Sequence, residues 1–351
     1  NEQQCKLAIQ FGHARYIYNW GLAQSQEKYP GYKHLAKQLT LLKRSTETAW
    51  LKEANAQVLQ QALKNLDRAF QNFFDKRGRY RHFKSKRAKQ SIRYPQPIEK
   101  WIAPDGRHVY LSKVGHVRLV LHRPLEGVMK NITVSRTRSG KYFVSMLVEV
   151  KMAEPVFAGG AVGLDLGLQR FVTLSTGEKI APPQYYRKAQ KKHRCLARQL
   201  SRKKLGSHNR EKARLRLARL DEKISNQRRD FHHKLSRMLV EENQFIGLED
   251  LNVRGMLANR HLAKSISDAG WSAFVMMLEY KGEWYDCRIE KISRWYPSSK
   301  ICSVCGTQME GIPLNVRIWQ CPMCGTVHDR DINAAINILR QSTAGAAERY
   351  A

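Results

Sequence analysis

Cys302, Cys305, Cys321 and Cys324 stand as two C-x-x-C pairs separated by residues 306–320, and Asp329-Arg330-Asp331-Ile332-Asn333-Ala334-Ala335 follows directly. The spacing is that of a four-cysteine zinc site. Each thiolate pair pinches one side of a tetrahedral ion, and Gly306 and Gly325 allow the tight turn that each knuckle needs. Four protein ligands close the coordination sphere, so Zn2+ here is structural and leaves no open position for catalysis. Such a site contributes on the order of 10 kcal/mol to folding a small lobe. Four free core cysteines would not require this spacing.

The second chemical signal is a set of carboxylates. Asp165 sits in Ala161-Val162-Gly163-Leu164-Asp165-Leu166-Gly167-Leu168, Glu249 ends the apolar run Phe245–Leu248, and Asp331 opens an apolar, helix-like tail. A single Asp in a strand is more often a hydrogen-bonded structural residue. Three acids in separate elements, each beside small or apolar residues, predict convergence. Grouped carboxylates repel unless hard cations neutralise them, and Mg2+ takes oxygen ligands. Two Mg2+ ions about 4 Å apart, with Mn2+ as the substitute, activate water and stabilise the leaving oxygen of a phosphodiester. No Ser-His-Asp or Cys-His arrangement offers a nucleophile instead. Asp331 is expected to cap the final helix and also to face the metals, with Asp329 as runner-up. Strand alternation directs only one of Glu249 and Asp250 inward.

The elements that must position these groups follow from periodicity. Residues 1–75 read as helical, with apolar recurrence at Val58, Leu59, Ala62, Leu63, Leu66 and Phe70, and a break at Tyr29-Pro30-Gly31. Residues 107–152 alternate as a small β module, with strands over 108–111, 117–121, 130–134 and 142–148 and a Ser139-Gly140 hairpin turn. Gly159-Gly160 reads as a hinge. A strand over 161–168, with Asp165 in its middle, pairs with a hairpin partner over 171–175. Residues 187–240 predict a basic antiparallel helical hairpin turning at Gly206–Asn209. A strand over 245–248, one helix over Ser265–Asp286 and a strand over 288–292 then deliver the chain to the first cysteine pair.

Charge sets the class of partner. The 351 residues carry 62 Lys+Arg against 30 Asp+Glu, a net charge of +32, which calls for a polyanion. Nucleic acid is the expected partner, with strong salt dependence. No apolar run is long enough to span a bilayer and no secretion signal is visible, so no membrane partner is expected. Seven cysteines, three of them scattered at 5, 195 and 287, make a poor disulfide framework and suit a reducing, cytoplasmic compartment. Residues 76–93 hold nine Lys or Arg and no acid, interleaved with Tyr80 and Phe83 and followed by Tyr94. This stretch reads as a backbone-tracking arm with rings for stacking, against the plainer reading of a solvated loop. Candidate nucleic-acid contacts are Arg77, Arg79, Arg81, Lys84, Lys86 and Arg87 there, and Lys191, Lys192, Arg202 and Lys203 in the helical hairpin.

Taken together, the stretches Gly163–Leu168, Leu248-Glu249-Asp250-Leu251-Asn252-Val253, Tyr296-Pro297-Ser298-Ser299-Lys300-Ile301-Cys302-Ser303-Val304-Cys305-Gly306 and Cys324–Ala335 stand in a distinctive order. The chain resembles the TnpB (OrfB) proteins of bacterial insertion sequences, RNA-guided relatives of type V CRISPR effector nucleases. Helical residues 60–74 and the tail 344–351 are similar too, so the resemblance covers essentially the whole chain. It implies a multidomain α/β architecture. A RuvC-like RNase H fold would be split by an inserted helical hairpin and a zinc ribbon, and preceded by a helical recognition lobe and a β-barrel wedge. The implied bounds are 1–95 for the lobe, 96–156 for the wedge, 157–188, 241–300 and 329–351 for the three RuvC parts, 189–240 for the hairpin and 301–328 for the ribbon. The resemblance also leads us to expect a first wedge strand ahead of Asn1, on which wedge integrity and flanking-motif reading depend. Asp165, Glu249 and Asp331 fall on the RuvC acids, and the four cysteines on the ribbon ligands. The implied partners are a guide RNA from the transposon end and double-stranded target DNA with a short flanking motif. The implied activity is a transposon-encoded, RNA-guided DNA endonuclease using a two-metal RuvC mechanism, located in the cytoplasm. Two alternatives stand beside it. One is an RNA-guided DNA binder or repressor that does not cut, which loss of an acid would favour, whereas all three are present. The other is a transposase or its accessory protein, since RNase H-fold transposases also use three acids.

Overall fold

The computed structural model describes residues 2–96, 101–102, 106–151, 159–313 and 315–348. The chain packs as two compact units, Asn1–Lys151 and Met152–Ala351. The expected domain boundary at 156/157 and the last three residues of the 344–351 tail lie outside the described residues.

The first unit opens with α1 (Glu2–Ala23), α2 (Tyr32–Leu42), a 3-10 helix (Thr46–Glu53) and α3 (Ala56–Phe74). Asn55 starts α3 by accepting from the Gln57 and Val58 amides at 2.9 and 3.3 Å, satisfying donors that a helix start leaves unpaired. The α3 stripe Val58, Leu59, Ala62, Leu63, Leu66 and Phe70 is buried. It meets α1 so closely that a Cβ on Gly21 would stand 2.9 Å from Leu66 Cδ2. The strands are β1 (Gln90–Tyr94), β2 (His108–Leu111), β3 (Gly115–Arg118), β4 (Val128–Arg136) and β5 (Tyr142–Glu149). They form a three-stranded antiparallel sheet, β1-β4-β5, and a separate β2–β3 hairpin, not one closed barrel among the described residues. Helices and strands share one core, in which Leu7, Ile17 and Phe70 join Ile92, Val109 and Ile132.

The second unit is built on a five-stranded sheet. β6 (Ala161–Asp165), β7 (Val172–Leu174) and β8 (Lys179–Ile180) form an antiparallel meander. α4 (Tyr185–Ser201) and α5 (His208–Glu242) follow, then β9 (Phe245–Glu249), α6 (Val253–Met256), α7 (Ala263–Ala269), α8 (Trp271–Tyr285) and β10 (Arg288–Ile292). β9 pairs parallel with both β6 and β10, giving the order β10-β9-β6-β7-β8. The β11–β12 hairpin (Ile318–Gln320, Val327–Asp329) then leads straight into α9 (Arg330–Glu348).

Side-chain alternation separates the two faces of this sheet. Val162, Leu164, Ile246 and Leu248 join a core with Leu235 and Leu239 of α5 and Phe274 and Leu278 of α8. The intervening positions are Gly163 and Gly247, and α9 lies on them. A Cβ on Gly163 would sit 2.0 Å from the Ala335 carbonyl oxygen, and one on Gly247 would sit 2.1 Å from Ser342 Oγ. Glycine is therefore what lets α9 touch the sheet backbone.

Two expectations are corrected. The strand from Ala161 ends at Asp165, not at 168, because the Gly167 amide turns back onto the Phe171 carbonyl at 3.4 Å. Asp165 is thus a terminal residue of its strand. The single helix expected over 265–286 is two, broken at Gly270 in the left-handed region (φ 69°), a conformation in which glycine carries no steric penalty.

Candidate active site and metal centre

Each of the three acids is placed by its element. Leu164 and Leu248 are partners in the parallel β6–β9 ladder, so Asp165 and Glu249, each the next residue, finish side by side. Glycines 163 and 247 stand two residues earlier on the same face, under α9. Asp331 lies one turn before Ala335, the α9 residue over Gly163. The helix therefore lays its first turn at the strand ends where the other two acids emerge. Asp165 responds to both: burial first, then the charges of Glu249 and Asp331, push its carboxyl up to about 7, against the opposing pull of Arg330 and Arg317. Burial also raises Glu249, and a hydrogen bond donated by Ser298 opposes that rise.

The neighbouring acids have other tasks. Asp329, not Asp331, caps α9, accepting from the amides of Asp331 and Ile332 at 3.1 Å each. This corrects the expected cap, and it frees the Asp331 side chain. Although burial alone would raise it, Asp329 is held below the usual carboxylate range by Lys179 and these amides. Asp250 turns away from Glu249 to pair with Arg294, whose Nε donates at 3.1 Å. Asp331 pairs with Arg317, Nη1 to Oδ1 at 3.0 Å.

Sequence reasoning missed two residues here. Ser298 Oγ donates to Glu249 Oε1, and Arg317 reaches Asp331. Ser298 lies inside the Tyr296–Gly306 stretch noted for its resemblance, but its hydroxyl had no visible partner in sequence. Arg317 carried no signal beyond the general excess of positive charge.

The four cysteines do assemble, their ligand atoms all within 4.8 Å of one another. Sγ–Sγ separations of 3.6 Å for Cys302–Cys324 and Cys305–Cys321 match the edge of a tetrahedron with about 2.3 Å Zn–S bonds. The two knuckles have the same backbone. Gly306 N donates to Cys302 O and Gly325 N to Cys321 O, each at 2.9 Å, and both glycines are left-handed, φ 77° and 71°. His328 Nε2 stands 3.0 Å from Cys302 Sγ, and its ring packs on Trp319. Among the described residues, the three carboxylates do not reach that mutual spacing.

The basic candidates divide. Arg79, Lys86 and Arg87 in the first unit, and Lys191, Lys192, Arg202 and Lys203 in the second, are exposed. Three others have intramolecular partners. Arg77 pairs with Asp75, Arg81 Nε donates to Ala69 O at 3.2 Å, and Lys84 Nζ sits 3.6 Å from the Tyr18 ring centroid. Two of the rings expected to stack on bases are engaged: Tyr80 packs on Phe70 and Phe73, and Tyr94 is buried in β1. Phe83 is 58% exposed. The helical hairpin is fastened by Arg210 Nη1 to Leu200 O at 2.8 Å and by His193 to Asp221 at 3.1 Å. No helix among the described residues is long and apolar enough to cross a membrane.

Residues 144–260 match a family described as "Probable transposase" (OrfB_IS605), 271–338 match the "Cas12f1-like, TNB domain", and 1–33 match a helix-turn-helix domain. A Streptomyces pristinaespiralis protein named as a candidate RNA-guided DNA endonuclease is 42% identical, over 99% of this chain and 88% of its own. InsQ of Escherichia coli, named the same way, is 34% identical over 96% of this chain and 89% of its own. The fold is similar to that of Cas12f1 in its complex with sgRNA and target DNA, with a TM-score of 0.54 at 15% identity, over 94% of this chain and 81% of that one. With these family matches and near-full-length relatives at 42% and 34% identity, the chain belongs to the TnpB (OrfB) family of insertion-sequence proteins, relatives of the type V CRISPR effectors.

Proposed function

We propose that the protein is a transposon-encoded, RNA-guided DNA endonuclease of the RuvC type. The observation that carries this reading is the meeting of Asp165, Glu249 and Asp331 at the ends of β6 and β9, with the Asp165 carboxyl pushed up to about 7 by burial first and then by the charges of the other two acids. A buried carboxylate crowded by two other acids is stabilised in its charged form by a cation, and the oxygen donors suit Mg2+ or Mn2+. Asp165, Glu249 and Asp331 are the residues that would hold such ions. Bound there, the ions would supply an activated water and charge stabilisation for the leaving oxygen. The chain's own contribution is positional. β6 and β9 fix two carboxylates, α9 brings the third, and Arg317 holds Asp331 and adds positive charge beside the scissile phosphate. The sheet order, with a three-stranded meander continued by two parallel strands, supports an RNase H-like core. The cysteine centre holds Zn2+ as a clasp just before α9.

The proposed domain parts keep the bounds implied by the resemblance: lobe 1–95, wedge 96–156, RuvC parts 157–188, 241–300 and 329–351, hairpin 189–240 and ribbon 301–328. Arg79, Lys86, Arg87, Lys191, Lys192, Arg202 and Lys203 would track nucleic-acid backbone, while base pairing to a guide RNA from the transposon end reads the target, as in guided effectors. A duplex motif beside the target is the part the protein would read itself. The test is to purify the protein from cells and sequence the RNA that accompanies it. A defined transposon-end RNA, with Mg2+-dependent cutting of a matching duplex, is expected. A defined RNA that directs binding without cutting would assign the protein to the non-cleaving class, and no RNA at all would leave a plain DNA-binding protein.

A further inference from the structure

We propose that Ser298 is a positioning residue for Glu249, fixed by two α9 asparagines that tie it to the first cysteine knuckle. The inference rests on the nuclease reading and deepens it.

Ser298 is 6% exposed and donates its hydroxyl proton to Glu249 Oε1. Its own backbone is held on both sides. The Ser298 amide donates to Tyr296 O at 2.8 Å, and its carbonyl accepts from Asn337 Nδ2 at 2.8 Å. Asn337 Nδ2 also reaches Ile301 O at 2.6 Å, where Asn333 Nδ2 joins it at 2.7 Å. Asn333 Oδ1 then accepts from the Ser303 amide at 2.9 Å, and Ser303 stands between Cys302 and Cys305. Arg340 adds a bond to Ser303 O. A continuous path therefore runs from the knuckle through Asn333, Ile301, Asn337 and Ser298 to the catalytic acid.

Asn333 and Asn337 are 1% and 2% exposed. Buried amides are costly unless bonded, and here they bond to the 298–303 segment. They are one turn apart on α9, and Asn333 follows Asp331 by two residues. The same helix thus delivers one acid and locks the loop that orients another. A hydroxyl donated to one carboxylate oxygen fixes the rotation of Glu249, which sets how its oxygens meet a cation. Outer-shell partners of ligating carboxylates act in this way.

The experiment uses the full chain with its RNA. For Ser298→Ala, the Mg2+ concentration for half-maximal cleavage should rise about 10- to 100-fold, with the rate at saturating Mg2+ and the metal-free DNA affinity much less affected. Mn2+ binding, followed by electron paramagnetic resonance, should weaken by the same factor without reference to activity. Ser298→Thr, which keeps the hydroxyl, should restore both. If Ser298→Ala does not unfold cooperatively, the near-isosteric Ser298→Cys is measured in the same two ways. Wild-type metal dependence and Mn2+ affinity in a folded variant lacking the hydroxyl would overturn the proposal. Failure of the nuclease reading looks different, since the unsubstituted complex would itself not cut.

Discussion

Asp165 is the residue on which the chemistry and the stability of the second unit meet. Its folded carboxyl titrates near 7, well above the ordinary 3.8, so the fold favours its protonated form. The native state then binds more protons than the unfolded chain between about pH 4 and 7, and stability falls as pH rises through that window. This group alone should lower the melting temperature of metal-free protein from pH 5 to pH 8, against the opposite drift from His13, His232, His233 and His328, whose burial favours their neutral forms. Asp165→Asn should flatten that dependence and raise the melting temperature at pH 8, and Mg2+ should stabilise the wild type but not the variant. Calorimetry with and without chelator checks both. Arg317 lowers the Asp165 value, so Arg317→Ala should move the acid limb of the cleavage–pH profile upward. An unmoved limb would place Arg317 outside the site. The acids were legible in sequence because a charge beside Gly and Leu is conspicuous. Arg317 and Ser298 were not, since their partners are 14 and 49 positions away in the chain and no local pattern reports such a pairing. Asp329 against Asp331 was misread for a related reason. Both stand at the helix start, and only the backbone geometry shows which one caps.

The element that organises the site is α9, and its seat is glycine. In Gly163→Ala the new methyl would meet the Ala335 carbonyl at 2.0 Å, a backbone atom that cannot turn aside. Destabilisation of about 3 kcal/mol or more is expected, at or beyond the upper range for overpacking. Gly247→Ala meets a serine side chain instead and should cost less. Urea unfolding of the two variants orders them. The cysteine hairpin feeds α9 directly: Arg330 N donates to Arg317 O at 2.8 Å, and Asn333 grips the first knuckle. Cys305→Ser should therefore lower both zinc content and thermal stability, and weaken cleavage by displacing α9. Unchanged metal content would refute the zinc assignment. Periodicity showed that these elements exist and of what type. It did not show where they stop, because one element ends where the Gly167 amide turns back onto Phe171 and another where Gly270 takes a left-handed conformation. Nor did it show that β1 and β2 pack in one core with the N-terminal helices, since such long-range contacts leave no periodic trace.

A chain with a net charge of +32 is built to be neutralised by something else. If each of the seven exposed cations Arg79, Lys86, Arg87, Lys191, Lys192, Arg202 and Lys203 meets one phosphate, the slope of log affinity against log salt should be about −6. Replacing Lys191 and Lys192 together with Glu should flatten it by about 2. Charge alone located these stretches. It could not tell Arg79 from Lys84, whose ammonium sits on the Tyr18 ring, because which cations find intramolecular partners is decided by packing. The central claim is that one protein uses RNA to choose DNA and three acids to cut it. The most direct measurement compares wild type with Asp165→Ala, each loaded with the co-purified RNA, on a matching plasmid in Mg2+. The account predicts equal binding by both, cutting by the wild type and none above background by the variant. Cutting by a pure Asp165→Ala preparation at the wild-type rate would contradict it.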